Sequence, residues 1–171
     1  MKISVTKLWN GEEGRGKYDF EISTDDEFTN VRVTADFFND PAPPKEPGYL
    51  MGLWDFEVAE IFFLNSKTEE YSEFEFGPHG HFLALKFKGA RQGIDIDEKF
   101  EFAFSSQILD GGKTWTSTAR IPNHMIPEGV DKFNCYGING VGDDRNYLAF
   151  SSVPGKEPDY HRIHCFAPFS V

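Results

Sequence analysis

The chain has 171 residues, with 17 Lys and Arg against 28 Asp and Glu, for a formal net charge of −11. The long-range field of such a chain repels phosphate backbones and anionic lipid, so neither nucleic acid nor a membrane surface is an expected partner. The length suits one domain, residues 1–171, with a sizeable core, and 18 Phe in short runs broken by Gly, Pro, Asn and Asp are the composition of a sheet protein.

In chain order, the opening MKISVTKLWNGEEGRGK has no uninterrupted apolar run and no small-residue cleavage pattern, so no secretory signal is read there. No segment approaches the roughly 20 apolar residues of a membrane helix, and a cytoplasmic protein is expected. Strands are predicted at Lys2–Leu8, Tyr18–Ser23 and Thr29–Phe37, with an Asn10-Gly11 turn after Trp9. From Asn39 to Gly48 the prolines remove backbone donors and hold their neighbours extended, which predicts a stiff loop outside any ladder.

The next predicted strand, Trp54–Leu64, is the most informative. Trp54, Phe56, Val58 and Phe62 share one parity and so one face of a sheet, and Glu60 falls on that same face. A carboxylate among large apolar groups must be hydrogen-bonded, paired or neutral, so Glu60 is either a structural anchor or part of a site. Tyr71–Phe76 follows, carrying Glu73 and Glu75, which with Asp55, Glu57 and Glu60 form a cross-strand acidic cluster only if a cation intervenes; otherwise Asp55, Glu57, Glu73 and Glu75 read as a solvated outer face. The remaining strands are Phe82–Lys88, Lys99–Ser105, Thr114–Ile121, Lys132–Ile138, Asn146–Phe150 and Arg162–Phe166, about eleven in all, separated by turns such as Pro78-His79-Gly80 and Asp110-Gly111-Gly112. Short strands at this spacing predict an all-β, antiparallel two-sheet sandwich.

Among chemistry-bearing side chains, His79 and His81 alternate and can share a metal only if a third ligand such as Glu60 or Glu75 converges on them. His161 reads as a tie between the Pro158-Asp159-Tyr160-His161 turn and a backbone carbonyl, and Arg145 can reach a buried carboxylate such as Glu60. No calcium-wrapping Asp-x-Asp-x-Asp-Gly loop, phosphate loop or nucleophile elbow is present, and none of Met1, Met51 and Met125 pairs with a histidine as a haem site requires. No cofactor is therefore expected. Cys135 and Cys165 lie in strand-like segments and are read as buried free thiols. Trp115 shares parity with Ala119 and Ile121 and belongs to the core.

Two blocks then carry a resemblance. Trp54-Asp55-Phe56-Glu57-Val58-Ala59-Glu60-Ile61-Phe62-Phe63 and Tyr71-Ser72-Glu73-Phe74-Glu75-Phe76-Gly77-Pro78-His79-Gly80 resemble the paired central strands of family 9 carbohydrate-binding modules, which belong with the DOMON-like sandwiches. Phe133-Asn134-Cys135-Tyr136, Tyr147-Leu148-Ala149-Phe150-Ser151 and Pro158-Asp159-Tyr160-His161 are similar to that group's closing pattern. Over nearly the whole chain the sequence also resembles a small cytosolic family named in vertebrates only by a chromosome 4 open reading frame, sharing the Phe37-Phe38-Asn39-Asp40-Pro41 and Leu53-Trp54-Asp55 blocks. The resemblance implies a jelly-roll-like sandwich whose relatives bind sugars and, in some DOMON branches, haem. One departure stands out: where sugar-binding relatives tend to place an Arg just after the Asn-aromatic-aromatic step, this chain has Gly137.

The expected function is non-catalytic binding of a saccharide or other small polar molecule at a rim of Trp54, Glu60, His81, Asn134, Tyr136 and Arg145. In that rim Trp54 stacks on a sugar face, Glu60 and Asn134 meet hydroxyls, and Arg145 fixes charge. The rivals are a small hydrolase or isomerase pairing Glu60 with His81 or His161, and a protein-interaction domain using a sheet edge or apolar patch.

Overall fold

A computed structural model describes residues 1–94 and 100–170. Its described residues form thirteen strands in two sheets. In chain order these are β1 (Lys2–Lys7), β2 (Glu13–Thr24), β3 (Phe28–Asp36), β4 (Gly48–Tyr49), β5 (Val58–Asn65), β6 (Glu70–Phe76) and β7 (His81–Lys88). They continue as β8 (Gly93–Ile94), β9 (Ala103–Leu109), β10 (Thr114–Pro122), β11 (Lys132–Asn139), β12 (Asn146–Ala149) and β13 (Ala167–Pro168). One sheet has the order β1-β2-β3-β10-β9, and the other runs β12-β11-β5-β6-β7-β4, with β13 on β11 and β8 on β7. Every pairing between these strands is antiparallel except β4 with β7. The expected two-sheet sandwich is the one observed.

Alternation decides what each face meets. The larger sheet turns Ala59, Ile61 and Phe63 of β5, Phe74 and Phe76 of β6, and Phe133 and Cys135 of β11 inward. Tyr18, Phe20, Val31, Val33 and Trp115 of the smaller sheet meet them, and Trp115 and Tyr18 are edge-on at 6.5 Å. Trp115 is thus a core residue, as its parity predicts. Gly137 is on this inward face too: a Cβ there would lie 2.5 Å from the Tyr18 ring, so no larger side chain fits without displacing the core. That is the physical reason an Arg has no place at this position.

The outer face of the larger sheet is not solvated. Phe62, Tyr71, Leu83, Leu85, Tyr136 and Ile138 point to it and form a second apolar cluster with Leu50, Leu53, Val153, Tyr160 and Phe166 from the segments that roof it. Burial on both faces makes β5 and β6 nearly continuous in burial rather than alternating. Glu73 and Glu75, expected to be solvated, are therefore buried; Glu57, just before β5, is buried where it accepts the Phe38 and Asp40 N–H groups, and Asp55 alone of that set is exposed.

Local departures have local causes. Leu53–Asp55 is a 3-10 turn entered through Gly52 at φ +87, so the predicted strand begins at Val58 rather than Trp54. Ile163–Cys165 is likewise a 3-10 turn, because Arg162 donates to the carbonyls of Val153 and Glu157 and holds this stretch as roof rather than ladder. The strand predicted from Lys99 starts outside the described residues, and its described counterpart is Ala103–Leu109. No helix among the described residues is long and apolar enough to cross a membrane.

Candidate functional site

A cavity of about 390 Å³ opens on the outer face of the larger sheet, beneath its roof. Glu60 and Phe62 of β5, Glu73 of β6, and Leu85 and Phe87 of β7 form its floor. Its walls are Trp54 and Asp55 of the 3-10 turn, Arg145 just before β12 and Tyr147 within it, and Tyr160 and His161 of the roof. A larger and more open hollow of about 690 Å³ lies across the smaller sheet, where Lys2 and Glu21 form an exposed ion pair at 2.6 Å. The roofed cavity is where buried titratable groups collect.

Register builds the floor. Glu60 stands directly across from Glu75, and Glu73 is two residues from Glu75 on the same face. One carboxylate oxygen from each of Glu60, Glu73 and Glu75 lies within 4.8 Å of the others. The three side chains are buried, at 2 %, 3 % and 0 % exposure. Burial raises all three carboxyls: Glu73 to about 7, against a hydrogen bond with Glu75 and the Arg91 charge, and Glu60 and Glu75 well above the ordinary range, with the Glu73 charge adding at both and the Glu60 charge at Glu75.

Beside them His161 Nδ1 is 2.7 Å from the Tyr71 hydroxyl, which also accepts the Arg91 backbone N–H at 3.1 Å. Burial, with the nearby Arg91 charge, lowers His161 to about 4, so the imidazole is neutral at pH 7. Its Nε2 lies 3.9 Å from Glu73 Oε2, too long for a hydrogen bond. Asp159 fixes the ring's backbone by accepting the His161 N–H at 3.0 Å while pairing with Arg91 at 2.8 Å.

Arg145 lines the cavity without forming the expected ion pair with Glu60. Its guanidinium donates to the carbonyls of Asp55 at 2.9 Å, Gly140 at 3.2 Å and Phe56 at 3.3 Å, and to that of Trp54. The Trp54, Asp55 and Phe56 carbonyls belong to the end of the 3-10 turn, where they lack helical partners, and the fork satisfies them while tying the turn to Gly140 after β11. Arg145 thus clamps the segment that presents Trp54, a residue 40 % exposed at the rim.

Of the six residues expected at the rim, Trp54, Glu60 and Arg145 line the cavity. Tyr136 is on the same sheet face but fully buried, stacked on Tyr160 at 3.8 Å and donating to the Tyr160 carbonyl at 3.0 Å. Asn134 spends its side chain on the Ser151 N–H and carbonyl, the Cys135 N–H and the Tyr136 hydroxyl. His81 lies at the start of β7, its Nε2 2.9 Å from the Lys45 carbonyl. Among the described residues no third metal-ligating side chain converges on His79 and His81. Glu73, His161 and Tyr160, outside the expected rim, line the cavity as well. The parity of Glu73 with Tyr71 marks its face, but nothing in the strand itself marks that face as roofed.

The chain is similar to the UPF0462 protein C4orf33 homolog of Danio rerio, 40 % identical over 151 residues that cover 82 % of this chain and 74 % of the relative. It is 37 % identical to the Mus musculus homolog, covering 99 % and 91 % of the two chains, and 35 % identical to the Homo sapiens protein, covering 99 % and 88 %. No family model matches. Among solved structures, a protein from Bacteroides uniformis inferred to bind carbohydrate superposes with a TM-score of 0.76 at 14 % identity, covering 98 % of this chain and 84 % of that one. A family 9 carbohydrate-binding module from Caldicellulosiruptor kristjanssonii in complex with cellotriose superposes with a TM-score of 0.50 at 10 % identity, covering 86 % and 72 %. The likeness to these structures is one of fold.

Proposed function

From its membership of the UPF0462 C4orf33 family, to which this chain belongs, and from its roofed cavity, we propose that the protein is a non-catalytic module binding a saccharide or other small polar ligand. The observation that carries this reading is the cavity's combination of an exposed Trp54 ring at the rim with carboxyl oxygens of Glu60 and Glu73 on the floor. A pyranose presents an apolar face that stacks on an aromatic ring and hydroxyls that need acceptors or donors, and a neutral carboxyl supplies both. The volume is within the range of small-molecule sites. The sandwich neighbours that hold glucose and cellotriose support the same class of ligand.

An enzyme pairing Glu60 with a histidine has less support. His81 is outside the cavity, and the carboxylate next to His161 is Glu73, beyond hydrogen-bond reach.

Titration calorimetry against glucose, cellotriose and a panel of other mono- and oligosaccharides tests the proposal. Saturable binding to one sugar class is expected, weakened about tenfold or more in Trp54→Ala while the melting temperature of the free variant stays close to that of the parent. Absence of binding to every saccharide, or binding indifferent to Trp54→Ala, overturns it.

A further inference from the structure

Among the described residues Glu75 is the only one with both carboxyl oxygens buried and lacking a donor from the rest of the protein. It is fully buried, and apart from a carboxyl–carboxyl contact with Glu73 neither of its oxygens has a hydrogen-bond partner; Glu73 Oε2 has none outside that pair. Buried polar atoms are nearly always satisfied, and an orphaned carboxyl oxygen calls for a missing partner. Glu75 faces Glu60 across the β5–β6 ladder, where the two buried carboxyls hold protons unless a cation takes the place of those protons.

Among the described residues the cationic side chains nearby do not fill that role. Arg145 is committed to four backbone carbonyls, Arg91 pairs with Asp159, and the one ion-pair geometry at the three glutamates is the neutral His161, 3.9 Å from Glu73. Three oxygens no more than 4.8 Å apart have a common centre within about 2.8 Å of each, so shifts of a few tenths of an ångström bring all three to the 2.3 to 2.6 Å of a calcium–oxygen bond.

We propose that Glu60, Glu73 and Glu75 form a binding site for one hard divalent cation, of the Ca²⁺ or Mn²⁺ class, set in the sheet at the floor of the cavity. The donor set is carboxylate oxygen alone, which favours such ions over Cu²⁺ or Zn²⁺. Glu60 and Glu73 reach the cavity whereas Glu75 lies below it, so the ion's open coordination positions face the cavity and take water or hydroxyl oxygen there. The ion gives the orphaned oxygens of Glu73 and Glu75 the partner that the polypeptide withholds.

Calorimetric titration of Ca²⁺ and Mn²⁺ into the full chain, freed of metal by chelation, tests this. Binding of one ion is expected, with a concentration-dependent rise in melting temperature, and affinity should fall about tenfold or more in both Glu75→Gln and Glu73→Gln. Amide replacement preserves shape, so each variant should melt near the metal-free parent. If either fails to fold, Mn²⁺ broadening of the parent's amide resonances reads the same question: signals of Glu60, Glu73 and Glu75 should vanish first. No binding of either ion at millimolar concentration, affinity unchanged in the folded variants, or broadening centred elsewhere overturns the site.

Discussion

Glu57→Gln gives a quantitative test of how this fold handles buried carboxyls away from the cavity. Glu57 accepts the Phe38 N–H at 3.1 Å and the Asp40 N–H at 3.4 Å, tying the start of the Pro-rich loop to the entry of β5. Burial raises its carboxyl from 4.5 to about 7, against those two hydrogen bonds and with the Asp40 charge adding to the rise. The folded state therefore holds a proton that the unfolded chain has released, and stability falls as pH climbs from 4.5 through 7. Between pH 5.5 and the folded value near 7 the gap is about 1.5 pH units, which at 1.36 kcal/mol each is ~2 kcal/mol. Glutamine has no such proton and keeps one acceptor, at a pH-independent cost of about 1 kcal/mol for the second N–H. Urea unfolding of parent and variant at pH 5.5 and 8.5 measures the difference. The variant should gain ~2 kcal/mol on the parent between the two conditions, whatever its absolute stability. A difference that stays constant within about 0.5 kcal/mol would refute the claim that Glu57 is protonated in the native state.

Two further outcomes follow from packing. Gly137→Ala places a methyl 2.5 Å from the Tyr18 ring, in a core with no room to yield, and should destabilise the protein by about 1 to 3 kcal/mol or more in a thermal or urea melt; a neutral result would mean Tyr18 is free to move. Cys135 is buried and Cys165 half-buried, both as free thiols, and burial raises the Cys135 thiol well above its ordinary value. A thiol reagent should therefore modify Cys165 in the native protein and Cys135 only after unfolding; no reactive thiol in non-reducing denaturant would reveal a disulfide instead.

Much of the sandwich is legible without coordinates because the period of a strand is local. Val58, Glu60 and Phe62 share a face in any strand, and the sequence around them shows it; the same alternation sets Trp115 with Ala119 and Ile121 in the core. Turn chemistry is local too, which is why most strand ends fall near Gly, Asn and Pro. Less legible is 162–166, where apolar residues look like a strand but Arg162 anchors them over the sheet through carbonyls several residues away.

The site follows the same division. By itself the sequence determined parity within each strand, Glu60 opposite Phe63 and Glu73 and Glu75 opposite Phe74; the β5–β6 register then put the three on one face. It did not determine whether that face meets water. Only the tertiary structure decided this, by laying Leu50–Leu53 and Val153–Phe166 across the outer face, and dielectric depends on what covers a carboxylate rather than on its neighbours in the chain. The same roof brought His161 against Tyr71, ninety positions apart in sequence, and made a cavity of what would otherwise be a flat acidic strip.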